Sequence, residues 1–270
     1  MLEIMRRHVK RGVICCIAVF MPGLVAAQNA EFDPRDFSGI WVLVFVPDGQ
    51  APFGPDRPAL TPAGEARYLG NIPTAPEADP NRPPSDAPPE SNDPALACNP
   101  IGFPRTLFDE VIRTFEMIHL EDRVLQLLQR RRTLRELWLD GRELPQGENL
   151  ENIGPSWYGH SVAEWQGDEL VINTVGMDDR AWLDTVGSPK SFEARIEERI
   201  RRVEADTLEI RMTLFDPTFY SAPWESRVLR FTREPRERVT YFGWYGLYSG
   251  VTDLMCAPMN FLELRRDGAY

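Results

Sequence analysis

Residues 157–224 constrain the fold most strongly, because they contain two consecutive β-hairpin patterns joined by a loop rich in Trp and Asp. Turn-forming residues 166–168 separate the first two predicted strands, and residues 204–207 separate the next two. The second strand is apolar on most of both faces, whereas the fourth has one apolar face, formed by Leu208, Ile210, Met212 and Leu214. The pattern predicts one wall of an antiparallel barrel.

A proline-rich stretch over residues 47–104 holds fifteen of the 24 prolines. Proline lacks a backbone N–H, so this stretch is expected to be an extended surface strap with no central strand or long helix. One short helix is predicted over residues 60–68, with Thr61 as the N-cap and Pro62 in the first turn. The strap has too few apolar residues to form a domain of its own.

Further strands are predicted on both sides of the hairpins. Residues 37–44 read as a first strand, and their Gly39-Ile40-Trp41 run is common at the start of calycin-like barrels. Residues 113–138 alternate as strands do, with turns near 121–122 and 140–141, but residues 124–138 also fit one face of a helix. A loop is predicted over residues 144–155. The closing strands are expected over residues 228–232, 239–245 and 261–264.

Composition excludes some classes of protein. A chain of 270 residues with 43% hydrophobic content is long enough to bury the core of one large β domain. Its formal net charge of −11 argues against a nucleic-acid-binding protein, because such a surface repels phosphates. The basic cluster of Arg130, Arg131, Arg132 and Arg135 is interpreted as a solvated face. Beyond the N-terminal residues, no apolar run is long enough to cross a bilayer.

The N-terminus has the organisation of a secretory signal peptide. Four basic residues precede an apolar run over residues 13–21, and the small residues Val25, Ala26 and Ala27 follow it. We predict cleavage after Ala27, which would leave residues 28–270 as a single β-barrel domain in the periplasm or outside the cell.

The predicted export to an oxidising compartment bears on the cysteines. Two of the four lie in the predicted signal peptide, so the mature chain keeps Cys98 and Cys256. An isolated pair in such a compartment favours a disulfide, with two buried thiols as the alternative. These cysteines and the histidines His119 and His160 lack the spacing of zinc ligands, so no metal site is predicted.

Several runs of residues carry a family resemblance. The longest is residues 158–168, and the others are residues 98–105, 139–142, 182–184, 198–199, Asp216-Pro217, Tyr220 and Pro223-Trp224. Together they resemble a group of uncharacterised secreted bacterial proteins. The resemblance implies an exported, mostly β fold, which we expect to be one antiparallel calycin-like or lipocalin-like barrel with the Pro-rich strap and one or two short helices. It implies no established reaction. Where members commonly have Pro-His-Ser, this chain has Pro189-Lys190-Ser191, so no role that needs imidazole is carried over.

Four residues are candidate catalytic groups. Glu198 shares a strand face with two isoleucines, and burial there would raise its pKa towards acid–base use, unless it forms a salt bridge with an arginine of the next strand. His160, among aromatic residues, is either a proton shuttle or a hydrogen-bonded core histidine. His119 has the same two interpretations. Asp184 would either close over the mouth of a pocket or cap a helical turn.

The predicted ligand-binding residues are aromatic or charged, namely Tyr158, Trp165, Trp182, Trp224, Arg105 and Glu116. The sequence has no Gly-x-Ser-x-Gly nucleophile motif, no phosphate-binding Gly-rich loop and no dinucleotide fingerprint. We therefore expect no flavin, nicotinamide or ATP cofactor.

Three functions remain open from the sequence. The first is a cofactor-independent lyase, isomerase or hydrolase that acts on a small apolar or aromatic molecule. The second is a lipocalin-like protein that binds such a molecule without turnover. The third is an envelope interaction module whose working surface is the strap.

Overall fold

The computed structural model describes residues 32–44, 53, 56–71, 92–97, 99–108, 114–128 and 133–234. The predicted signal peptide, both cysteines of the predicted disulfide, and the closing strands predicted over 239–245 and 261–264 lie outside these ranges. In the part of the chain that is described, neither helix is long and apolar enough to cross a membrane.

Strands dominate the described residues. They are β1 Gly39–Leu43, β2 Thr114–His119, β3 Arg123–Leu128, β4 Thr133–Trp138, β5 His160–Gln166, β6 Glu169–Val175, β7 Arg195–Glu204, β8 Thr207–Phe215, β9 Trp224–Glu225 and β10 Leu229–Arg233. The α-helices in these ranges are α1 Pro62–Gly70 and α2 Gly147–Ile153, and two short 3-10 turns cover Pro94–Ala97 and Arg105–Leu107.

Nine of these strands close into a barrel. Neighbours pair in chain order from β1 to β8, and β10 then pairs with β8 on one side and β1 on the other. The short strand β9 pairs with the second half of β8. All pairs are antiparallel except β4 with β5, which are parallel because the connection between them returns through α2. The predicted mostly β barrel with few short helices is confirmed, with this one parallel pair.

The barrel interior is filled by side chains that alternate along the strands. In β8 the four predicted residues Leu208, Ile210, Met212 and Leu214 are all buried. In β7 Glu198 is buried between two buried isoleucines, Ile196 and Ile200, as the sequence pattern predicted. Large rings from β1, β2 and β10 complete the core, namely Trp41, Phe115 and Phe231.

The ambiguous segment before the hairpins forms strands. Burial in β3 has a period of two residues, with Val124, Gln126 and Leu128 inside the barrel. The residues 121–122 form the bend between β2 and β3, as predicted. The helical alternative for residues 124–138 is therefore wrong. The predicted loop over residues 144–155 is also wrong in part, since it contains α2, which buries Leu150.

Helix α1 docks on the turn that precedes β9. Thr61 is its N-cap: the Thr61 side chain accepts from the Gly64 N–H at 3.1 Å and donates to the Thr218 carbonyl at 2.6 Å. The Thr61 N–H also donates to the Phe219 carbonyl at 2.9 Å. A Cβ atom added at Gly64 would lie 2.2 Å from that same carbonyl oxygen, so only glycine allows this approach. The predicted cap and first-turn proline are confirmed.

The close approach at Gly64 gives a test of helix docking. Gly64→Ala should lower the free energy of unfolding by about 1–3 kcal/mol, because the backbone oxygen of Phe219 has to move away from the new methyl group. Gly70→Ala in the same helix is the matched control, since an added Cβ there meets no atom within 4 Å. Urea denaturation of the two variants measures the difference, and equal stabilities would contradict this docking.

Candidate functional site

Five neighbouring strands each place one buried polar side chain inside the barrel. These residues, which we call the interior polar cluster, are Gln126 in β3, Arg135 in β4, Ser161 in β5, Thr174 in β6 and Glu198 in β7. Successive side chains in a strand point to opposite faces, and each of these five points into the barrel while its neighbours at i±1 point outward. The cluster therefore forms a polar band across an otherwise apolar core.

An ion pair holds the cluster together. Arg135 Nη2 lies 2.7 Å from Glu198 Oε2, and Arg135 Nη1 lies 3.4 Å from Glu198 Oε1. Nη1 also donates to Gln126 Oε1 at 2.8 Å, and Nη2 donates to the hydroxyls of Thr174 at 3.2 Å and Ser161 at 3.3 Å. The Arg135 and Glu198 side chains are only 1% and 0% exposed, so the pair is shielded from solvent and its partners replace water.

The hydrogen-bonding capacity of the cluster is not used up. Among the described residues, Gln126 Nε2 and Arg135 Nε are buried and have no hydrogen-bond partner. Both are donors. A buried donor without a partner lowers the free energy of unfolding by about 1–3 kcal/mol. The cluster therefore has two donors inside the core that could still form hydrogen bonds.

A loop segment, not a strand, covers the cluster. Residues 101–108, which we call the plug, bury Phe103, Leu107 and Phe108 in the core, and Ile101 is also buried. The centroid of the Phe103 ring lies 3.8 Å from Arg135 Cζ, a short cation–π distance. The Phe103 N–H donates to the Trp157 carbonyl at 3.0 Å, and Arg105 forms a buried ion pair with Asp93 at 2.7 Å. The plug is therefore anchored by a backbone hydrogen bond at Phe103 and by an ion pair at Arg105.

The structure corrects two expectations about the ion pair. Arg135 was assigned to a solvated basic cluster, but it is buried; Arg130, Arg131 and Arg132 lie outside the described residues. The partner of Glu198 is an arginine, as the alternative interpretation held, but it does not lie on the next strand. It lies on β4, three strands away, so the contact crosses the interior.

His160 does not share a site with Glu198. Ser161 points into the barrel, so the adjacent His160 side chain lies on the outer face of β5. His160 Nε2 is 3.1 Å from the Gly154 carbonyl at the end of α2. This geometry fits the hydrogen-bonded structural histidine and does not bring the two proposed acid–base groups together.

His119 packs near the start of the described chain. Its Nε2 accepts from the Phe37 N–H at 3.2 Å, so in this arrangement the ring proton is on Nδ1 and the ring is neutral. The ring also packs edge-on against Phe37 and is stacked with Trp165. Burial lowers the pKa of His119, and the charge of Asp36 opposes that effect. These contacts favour the structural interpretation.

Asp184 belongs to a second buried polar group, which we call the loop cluster: Asp184, Lys190, Ser191, Asp216 and Tyr220. Asp184 Oδ1 accepts from the Val186 and Ser188 N–H groups at 2.9 and 3.0 Å, so the carboxyl caps a tight loop turn and does not close over a pocket mouth. Burial raises the pKa of Asp184, against these hydrogen bonds.

The remaining members tie two loops together. Asp216 accepts from the Ser191 N–H and hydroxyl, both at 2.8 Å, and burial raises the pKa of the Asp216 carboxyl. The Tyr220 hydroxyl donates to the Pro189 carbonyl at 2.7 Å. Burial, followed by the charges of Asp184 and Asp216, raises the pKa of Tyr220. These bonds fix residues 189–191 against residues 216–220.

Lys190 is fully buried within the loop cluster. Its Nζ donates to the carbonyls of Asp178 and Ala181, each at 2.6 Å. Burial lowers the pKa of Lys190 to about 7, although the charge of Asp178 opposes that effect. Through these two bonds the amine holds the 178–181 turn.

The predicted ligand-binding residues do not converge on one site. Trp224 is buried against Tyr220 of the loop cluster, and Arg105 of the plug is buried near the ring of Trp182. Tyr158 accepts from the Thr133 hydroxyl at 3.0 Å, and the half-buried Trp165 contacts Phe37. Glu116 lines a surface depression of about 260 Å³ with His119 and Arg233.

A second surface depression, of about 390 Å³, is lined by Arg67, Arg180 and Trp182 among others. Neither depression is lined by Arg135 or Glu198. The buried polar band therefore lies apart from both of these surface openings.

Comparisons with models of protein families, with curated proteins and with solved structures find no match. The family resemblance and the predicted export therefore stay predictions, and any function has to be argued from the geometry.

The sequence patterns did not identify Gln126 and Arg135 of the interior polar cluster, or Lys190 and Asp216 of the loop cluster, as buried polar residues. For Arg135 a signal was present, because it shares a strand face with Leu137, which is fully buried. Lys190 and Asp216 lie outside regular strands, where the sequence has no periodicity that indicates burial.

The buried ion pair predicts strong coupling between its partners. Arg135→Met should lower the free energy of unfolding by about 3–5 kcal/mol, because it leaves the Glu198 carboxylate buried without its countercharge. The double variant Arg135→Met/Glu198→Met should lose less than the single variant. Urea denaturation of all four proteins of this cycle measures the coupling, and additive losses would contradict it.

The lowered pKa of Lys190 should make the stability of the protein depend on pH in a defined direction. Its pKa is about 7 in the fold and 10.5 without perturbation, so between these values the unfolded chain binds more protons. The contribution of Lys190 to the free energy of unfolding should therefore rise with pH across that window, by about 1.4 kcal/mol per unit.

Wild type and Lys190→Met, unfolded in urea at pH 6, 8 and 9.5, measure this effect as a difference that grows in favour of wild type. After the predicted cleavage Lys190 is the only lysine in the sequence, so its side-chain NMR signal reports the pKa directly. A titration midpoint near 10.5 would show that the amine is solvated.

Proposed function

We propose that this protein is an exported barrel that binds a small planar organic molecule in its interior, next to Arg135 and Glu198, without turnover. The site would be reached by displacement of the plug, and the ligand ring would take the place of Phe103. Location in the periplasm or outside the cell is part of the proposal and is supported by the N-terminal sequence pattern.

The contact that carries the proposal is Phe103 on Arg135. The ring that covers the guanidinium at 3.8 Å comes from a loop segment, and loops open at lower cost than strands held by two neighbours. A planar ring already occupies the face of Arg135, so the same space suits an aromatic ligand.

The interior polar cluster supports binding because an apolar barrel core can be built without buried charges. Replacing a buried ion pair by well-packed apolar side chains is often neutral or stabilising. The barrel core around the cluster is apolar, and five polar side chains with unmet donors are an expensive way to fill it. Polar groups that fix the orientation of a ligand in an apolar cavity are typical of binding sites.

The acid–base alternative has less support. Both carboxylate oxygens of Glu198 accept from Arg135, and neither surface depression is lined by Glu198, so a substrate in either depression does not reach this carboxylate. His160 lies on the outer face of the sheet, with its Nε2 3.1 Å from the Gly154 carbonyl oxygen. Binding without turnover is therefore the function that this geometry supports best.

Removing the Phe103 ring should create the binding space without displacement of the plug. We expect Phe103→Ala to bind acetophenone at least tenfold more tightly than wild type, as measured by NMR titration, because the ligand no longer competes with the ring. Phe37→Ala is the matched control: its ring is equally buried but packs on His119 and Trp165, away from Arg135.

Native mass spectrometry of the wild-type protein, purified from cells that produce it, tests the same proposal without mutation. We expect a bound small molecule that is released on denaturation. If no such mass is found, and acetophenone binds neither Phe103→Ala nor wild type, the barrel is a solid core and the binding function is wrong.

A further inference from the structure

The spare hydrogen-bonding groups of the interior polar cluster are donors. Gln126 Nε2 and Arg135 Nε have no partner among the described residues. The acceptors beside them already have partners, since both oxygens of Glu198 and the Oε1 of Gln126 each accept a hydrogen bond from Arg135. A molecule that enters here gains hydrogen bonds by bringing an acceptor, whereas an added donor would compete with Arg135 for its partners.

The charge of the cluster is already balanced. Arg135 contributes one positive charge and Glu198 one negative charge, and the other three members carry none. A ligand carboxylate would leave a net negative charge in a dry interior, and a ligand ammonium would leave a net positive one. Either imbalance is costly where water cannot screen it, so a neutral molecule is favoured.

From the donors and the charge balance together, we infer that the ligand is a neutral planar molecule with a hydrogen-bond acceptor, such as an aryl carbonyl compound, and that Glu198 excludes anions. This specificity rests on the proposed binding function and concerns the same site. Glu198 is then a specificity-determining residue: it neutralises Arg135, which alone would attract carboxylates.

A comparison of a neutral ligand with an anionic ligand of similar shape tests the inference. In the Phe103→Ala background, acetophenone should bind at least tenfold more tightly than benzoate, which has a similar ring and a full negative charge. Adding Glu198→Gln removes the countercharge of Arg135 and should reverse this order, so that benzoate binds more tightly. NMR titration at constant ionic strength measures the four dissociation constants.

A second variant tests the donors while keeping both charged residues of the ion pair. Cumene has nearly the shape of acetophenone but no acceptor, so its affinity reports apolar contact alone. Gln126→Leu in the Phe103→Ala background should reduce the preference for acetophenone over cumene by at least fivefold, because one unpartnered donor is lost. This arm remains informative if Glu198→Gln does not fold.

The possible outcomes separate the inference from the proposed function. If acetophenone and benzoate bind Phe103→Ala equally, or if neither Glu198→Gln nor Gln126→Leu shifts the preferences, the specificity is wrong and the binding site stands. If acetophenone, benzoate and cumene all fail to bind Phe103→Ala, the binding function itself is wrong.

Discussion

The ion pair between Arg135 and Glu198 is the interaction on which the interior depends. Taking two charges out of water costs several kcal/mol for each ion, and that cost is met only when every neighbour is arranged for it. Here the arrangement draws on five strands: Gln126, Ser161 and Thr174 surround the guanidinium, and a ring from the plug covers its face. Strand register, barrel closure and the position of the plug are therefore linked through one pair of charges.

Much of the barrel could be predicted from the sequence, since alternation in β7 and β8 and the Thr61 cap are local signals. The burial of Glu198 followed from the same alternation. Its partner did not, because Arg135 lies 63 residues away in the chain and only closure of the sheet brings the two strands to face one interior. Helix α2 was missed for a different reason: its cap makes no side-chain hydrogen bond, and it buries only Leu150.

The loop cluster bears on the plug through direct contacts. A Cβ atom at Gly102 would lie 2.6 Å from Ala181 Cβ, and Ala181 is held in turn by the Lys190 amine. Arg105 of the plug lies near the ring of Trp182, with its guanidinium 6.0 Å from the ring centroid. Bonds among Lys190, Asp216 and their neighbours therefore set the surface against which the plug rests. The plug therefore contacts both the interior polar cluster and the surroundings of the loop cluster.

The same contact that weakens the case for catalysis strengthens the case for binding. A general base has to lie within hydrogen-bond reach of the proton that it takes from a substrate, whereas Glu198 is fully buried and both of its oxygens accept from the guanidinium of Arg135. Such a carboxylate is poorly placed for proton transfer to or from a substrate, but it is well placed to balance the charge of Arg135. If it does so, Arg135 is free to act as a hydrogen-bond donor and as a flat surface for a ring, without selecting for anions. Phe103 is the ring that the chain itself supplies for that surface, so under the proposed function removal of this ring is the change that most directly exposes the guanidinium to a ligand.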